Sequence, residues 1–151
     1  MRIVSDIELV PASVPRSATF LEAAEMLVSH PVTTIAVLDD EEQVVGLFAD
    51  SDLLGGLFPR YLAELRHTAF AADDAGLLDE LAQKVTGDPV EKHMHEPIVL
   101  DESSSATHAA ERFLHCDLGA LPVTRGGRFV GMLGRVNAVC PGWTVSPMTR
   151  S

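Results

Sequence analysis

Positive charge is scarce in this chain. Of 151 residues, 11 are Lys or Arg against 22 Asp or Glu, a formal net charge of −11. That balance opposes non-specific binding to nucleic acid and attachment to an anionic membrane, since both need clustered cations. Any anionic ligand must be held by local positive charge. Cysteine is scarce too: Cys116 and Cys140 have no CxxC spacing and do not correspond to each other in the repeat described below. They are expected as buried free thiols rather than as metal ligands. No apolar run approaches the roughly 20 residues that cross a bilayer, and Met1-Arg2-Ile3-Val4 leads into patterned sequence rather than a signal peptide. A soluble cytoplasmic protein is the expectation.

Catalytic signatures are also missing. There is no G-x-S-x-G, no P-loop and no H-E-x-x-H, so no enzyme activity is expected. His93-x-His95, with His108, is the one grouping that could hold a metal; exposed histidines are the simpler expectation. Asp39-Asp40-Glu41-Glu42 lacks the spacing and central glycine of a calcium loop and reads as a solvated turn.

What the chain does contain is a repeat. VVGLFADSDLL at Val44–Leu54 is echoed by FVGMLGRVNAV at Phe129–Val139, with Gly131 in the place of Gly46 and Asn137 in that of Asp52. The offset there is 85 residues. Upstream it is 86, pairing Val4 with Val90, Pro11 with Pro97, Ser17 with Ser103, Val37 with Val123 and Ala23-Ala24-Glu25 with Ala109-Ala110-Glu111. The change falls between LDDEEQVVG and TRGGRFVG, so the second hairpin loop is one residue shorter. Matches held across strand, helix and hairpin indicate duplication. The 46% hydrophobic content is enough for one domain, or for two halves sharing a core.

In chain order, residues 1–14 read as an extended segment with Val10 and Val14 pointing inward, and Pro11 and Pro15 excluding helix. Ser17 or Thr19 can cap a helix, and Thr19 with Glu22 fits a capping box. Its buried face is expected to be Phe20, Ala23, Ala24, Leu27 and Val28, with His30-Pro31 as the stop. Thr33–Leu38 is a strand, and the chain returns through Gln43–Ala49. Helix then resumes with Asp52 as N-cap, shortened by Gly55-Gly56 and Pro59. Arg60–Pro89 has no counterpart; Tyr61, Leu62 and Leu65 suggest one short helix, and Leu77, Leu78, Leu81 and Val85 another packed on its own domain. The second unit repeats the first: Val90–Leu100 extended, a cap at Ser104 or Ser105, and a face of Ala106, Ala109, Ala110 and Phe113. Strand Gly119–Thr124 follows, then a tight turn at Gly126-Gly127, a return over Arg128–Gly134 and a last helix barely begun.

The domain reading is residues 1–58, a helical insertion 59–89, residues 90–140, and an irregular tail 141–151. The fold class is α/β of the α+β kind, with two pseudo-symmetric units. Each is a small three-stranded sheet with helices on one face, and the apolar faces pack sheet to sheet.

Val90-Glu91-Lys92-His93-Met94, the Ala-Ala-Glu helix, Leu121-Pro122-Val123 and Gly131-Met132-Leu133, in that order and largely twice over, resemble the cystathionine-β-synthase-type (CBS) domain in its tandem form, the Bateman module. The resemblance implies a stand-alone regulatory pair, a homodimer, which binds AMP, ADP, ATP or S-adenosylmethionine between its units. No cofactor is required. It also implies an unknown protein partner that reads the change. The family's final strand runs into T-x-x-D, whose hydroxyl meets phosphate and whose acid takes ribose. The acid falls at Asp52 and Asn137. The hydroxyl positions hold Ala49 and Gly134, a departure in both copies. Arg135 beside Gly134 could attract phosphate, and Asp50 beside Ala49 would repel it, so the Asn137 side is the favoured cleft. The base is assigned to apolar strand positions Val10, Ile98, Val37, Pro122 and Val123. A degenerate pair acting only as a dimerisation scaffold is the alternative.

Overall fold

The computed structural model describes residues 3–56 and 85–139. Most of the insertion, with the first expected helix and all of the second except its last residue Val85, and the tail with Cys140 lie outside the described residues; Val85 is helical and buried in the first unit's core. The first sheet holds β1 (Ser13–Pro15), β2 (Thr34–Leu38) and β3 (Val44–Ala49), and the second β4 (Leu100–Asp101), β5 (Ala120–Arg125) and β6 (Arg128–Gly134). In each, the first strand runs parallel to the central one and the third antiparallel. Helix α1 (Phe20–Ser29) makes the first parallel crossover and α3 (Ala106–Leu114) the second. Helix α2 (50–56) follows β3, and α4 (Arg135–Val139) follows β6.

Local chemistry explains the boundaries. Thr19 Oγ1 accepts from the Glu22 amide while Glu22 Oε1 accepts from the Thr19 amide, closing the predicted capping box. Ser105 Oγ likewise accepts from the His108 amide. Asp39 Oδ1 accepts from the amides of Glu41 and Gln43, which makes the acidic run a side-chain-stapled turn. Gly126 and Gly127, at φ 59° and 87°, make the tighter second hairpin.

Several expectations need correction. Each supposedly extended lead-in contains a 3₁₀ turn, Val4–Asp6 in one unit and Val90–Lys92 in the other. On α1, Phe20, Ala23 and Leu27 are buried and Ala24 half-buried, but Val28 is 80% exposed. Val28 lies in the last turn, where the helix stops, and no described element covers it. Gly55 and Gly56 are both helical, as the last described residues of α2, and a Cβ on Gly56 would stand 2.7 Å from the Phe20 ring.

The two apolar sheet faces meet as expected. Leu47 and Ala49 of β3 lie in a core cluster with Leu121, Val123 and Leu133, while Ala120 and Met132 join the cluster of the first unit. More informative is the path of the lead-ins, which cross. The Val4 amide donates to Ser104 O of the second unit, and the Val90 amide to Ala18 O of the first. Val10 then pairs with Met132 on β6, and His95 with Leu47 on β3, each through two backbone hydrogen bonds. Glycine makes the crossing possible. A Cβ on Gly131 would stand 2.6 Å from Leu9 Cβ, and one on Gly46 would stand 2.3 Å from Met94 Sδ. This is the physical content of the repeated V-G. Arg16 and Glu91 add an ion pair across the same junction at 2.8 Å, and that partner raises the Arg16 pKa.

Candidate functional site

The sequence places the candidate residues at the β3–α2 and β6–α4 junctions, and the structure alters their roles there. With α2 beginning at residue 50, Ala49 is the N-cap and Asp52 the third helical residue, from which Oδ2 accepts the Ala49 amide at 2.8 Å. In the second unit Gly134 precedes α4 and Asn137 is its third residue. Asp52 is not the N-cap the sequence suggested, and Asn137, its counterpart in the repeat, is not an N-cap either. Both instead sit where a side chain reaches back over the first turn.

Gly134, Arg135 and Asn137 come together around a cavity of about 180 Å³, with Val136, Gly119 and, from the first unit, Pro31, Val32 and Thr33. Arg135 and Asn137 are exposed, and neither makes a side-chain hydrogen bond or ion pair among the described residues. Both can therefore turn to a ligand at no cost in broken contacts. Thr33 was missed by the sequence reading. Its hydroxyl would clash with a Cβ on Gly119, so the wall of the second unit's cavity carries a hydroxyl supplied by the first unit. The available signal was the offset of 86, which sets Thr33 against Gly119: one copy has a hydroxyl where the other has none.

The first unit's junction is different. Its corresponding groups are Ala49, Asp50 and Asp52, and the repeat sets Asp117 in the position of Pro31. Asp52 is also engaged, since His95 Nδ1 lies 2.8 Å from the same Oδ2 that accepts the Ala49 amide. His93 goes elsewhere, with Nε2 at 3.1 Å from Asp88 and its ring 4.8 Å from that of Phe20. The two histidines, expected to be exposed, are thus half-buried in separate places. Among the described residues no group of three or more His, Cys, Asp or Glu side chains could hold a metal.

The apolar candidates are dispersed. Val37 and Val123 are fully buried and Pro122 is buried in the sheets, while Val10 is half-buried on its bridge to Met132. Ile98 lines a separate groove of about 370 Å³ with His108, Glu111, Arg112, His115 and Cys116. Cys116 is free and half-buried.

Two β-α-β-β-α units with crossed lead-ins agree with the comparison to known families, in which the CBS domain pattern matches residues 4–58 and 90–138. The chain belongs to the CBS domain family. Among curated CBS proteins, it is 29% identical over 130 residues to the chloroplastic CBS domain-containing protein CBSX1 of Arabidopsis thaliana. That match covers 82% of this chain and 55% of the relative, so the chain spans about half the length of the curated protein it matches. Among solved CBS structures, CBSX2 of Arabidopsis thaliana superposes with a TM-score of 0.71 at 28% identity, over 99% of this chain and 98% of that one. A structure of CBSX2 in complex with AMP gives 0.67 at 28% identity, over 93% and 96%. Among the described residues no helix is long and apolar enough to cross a membrane.

Proposed function

We propose that the chain is a regulatory CBS pair that takes an adenosine nucleotide at the cleft on the Asn137 side and signals by a change in conformation or assembly. The observation that carries this reading is the grouping of Arg135, Asn137 and Thr33 around one cavity, with Gly134 keeping one wall free of a side chain. Arg135 offers charge to phosphate, the Asn137 amide can serve a ribose diol, and Thr33 supplies a hydroxyl in a chain whose T-x-x-D positions lack it. The cavity is smaller than the roughly 300–1,000 Å³ of whole-ligand pockets. It suits the ribose-phosphate end, with the base lying outward along the strands. CBSX2, which is known with AMP, supports adenosine as the ligand class.

The output passes to a protein partner or to self-association as a homodimer. Val28 and Leu114, 80% and 83% exposed at corresponding places on α1 and α3, support contact with a second copy. They equally favour the second reading, a dimeric scaffold that binds no nucleotide, to which Ala49 and Gly134 also point.

Melting temperature against AMP, ADP, ATP, S-adenosylmethionine and NAD separates the two. A ligand at about 100 times its dissociation constant adds roughly 2.7 kcal/mol, a rise of several degrees in a chain of this size. The sensor reading expects that rise with a phosphate-bearing nucleotide, its loss in Asn137→Ala and a weaker response in Arg135→Ala. A folded dimer that responds to none of the panel would leave the scaffold.

A further inference from the structure

The two junctions differ at Asp52, whose two side-chain hydrogen bonds the repeat does not duplicate. His95 reaches Asp52 at 2.8 Å, and the structural counterpart of His95 is Val10, since each forms the backbone bridge from its lead-in to the opposite sheet. Val10 has no group to donate, so nothing corresponding restrains Asn137. Asp52 has two donors on one carboxylate oxygen, the Ala49 amide and the His95 ring. A carboxylate oxygen has about two lone-pair sites, and Oδ2 has both committed. The imidazole is held in place by more than this bond, because the His95 backbone is tied to Leu47 in both directions at 3.0 Å.

We infer that His95 is a specificity-determining residue: by holding Asp52 it closes the first cleft to a ribose diol, leaving a single working cleft per chain. This rests on the proposed nucleotide function and deepens it. A diol grips a carboxylate through both oxygens, and here it would have to break the His95 contact and swing the ring away. The second cleft imposes no such cost, because the Asn137 amide makes no side-chain hydrogen bond among the described residues. The asymmetry lies in a side chain at position 95, not in the fold of the unit.

Adenosine is the probe, since it carries the diol without a phosphate for Asp50 to repel. Isothermal titration calorimetry should count one adenosine per chain in the unmodified protein and two in His95→Val, which gives the first cleft the side chain of its counterpart. His95→Val combined with Asp52→Ala should return the count to one. Two sites in the unmodified protein would overturn the inference. A single site in both proteins would overturn it while leaving the proposed function standing, and no adenosine bound by either would overturn it too; the proposed function falls as well only if AMP also leaves the melting temperature unchanged. Should His95→Val fold poorly, imidazole NMR of the unmodified protein decides: the His95 ring signals should stay in place at saturating adenosine. A shift of the size expected for loss of the Asp52 hydrogen bond would overturn the inference.

Discussion

The framework contacts of the two units correspond almost bond for bond, and the residues at their clefts do not. Val4 to Ser104 matches Val90 to Ala18, Val10 to Met132 matches His95 to Leu47, and Gly131 under Leu9 matches Gly46 under Met94. At the junctions, by contrast, Thr33 faces Gly119 and the repeat sets Asp50 against Arg135, Asp52 against Asn137 and Asp117 against Pro31. Backbone hydrogen bonds and glycine clearances leave few solutions for two sheets packed face to face with crossed segments over them. Half-solvated side chains at a cleft rim have many. A duplicated unit can therefore keep its architecture while its two sites take different chemistry.

The comparison can be pressed hardest in the core. Phe20 packs edge-on against Phe48 with centroids 5.6 Å apart and against His93, whereas the corresponding position of the second unit is Ala106. Phe20→Ala should cost about 3–5 kcal/mol in chemical denaturation. It should also loosen residues 90–95, seen as faster amide exchange there than at Val4–Asp6. Equal exchange at both lead-ins would show that the aromatic cluster does not set the difference between units.

The glycine crossings come next. Gly131→Ala brings its new methyl against Leu9 Cβ, which cannot rotate away, while Gly46→Ala meets the flexible end of Met94. Overpacking of this kind costs about 1–3 kcal/mol. Gly131→Ala belongs at the upper end and Gly46→Ala at or below the lower, and the reverse order in urea melts would mean that the two lead-ins are not equivalent in rigidity.

Helix caps give the smallest contrast. Removing Thr19 breaks a reciprocal pair with Glu22, whereas Ser105 makes a single bond to the His108 amide. Both Ala variants should lose about 1 kcal/mol. Thr19→Ala should lose the more, and equal losses would assign no value to the Glu22 half of the box.

The elements were largely legible because their signals are local. Thr19 and Glu22 stand three apart, Phe20, Ala23 and Leu27 mark a helical stripe, and Gly126-Gly127 permits a turn that few other residue pairs allow. The repeat was legible for the same reason, as a sum of short matches at one offset. The crossing was not. Hydrogen bonds from Val4 to Ser104 and from His95 to Leu47 join residues far apart in sequence and leave no periodicity. The offset is itself misleading there: it sets Val10 against Glu96, while the structure pairs its role with His95, because the two lead-ins distribute their residues differently around the 3₁₀ turn. Hence His95 was read as one of two solvent-facing histidines when it is the group that holds Asp52. Asp52 and Asn137 lie at the expected junctions but not in capping positions, since a helix start three residues earlier leaves the sequence pattern unchanged.

The crossed lead-ins also bear on the order in which the chain becomes structured. Residues 3–10 leave the ribosome long before β6, yet β6 and Ser104 are what they dock on. The first sheet likewise waits for residues 88–95 before Phe20, Leu47 and Asp52 have their partners. Neither half can finish before the other has been made, so residues 3–10, made ahead of both sheets, are among the last to settle. Closing two such long loops together makes folding slow and cooperative, and a nascent half-chain would expose an apolar sheet face that a neighbouring chain's lead-in could cover instead.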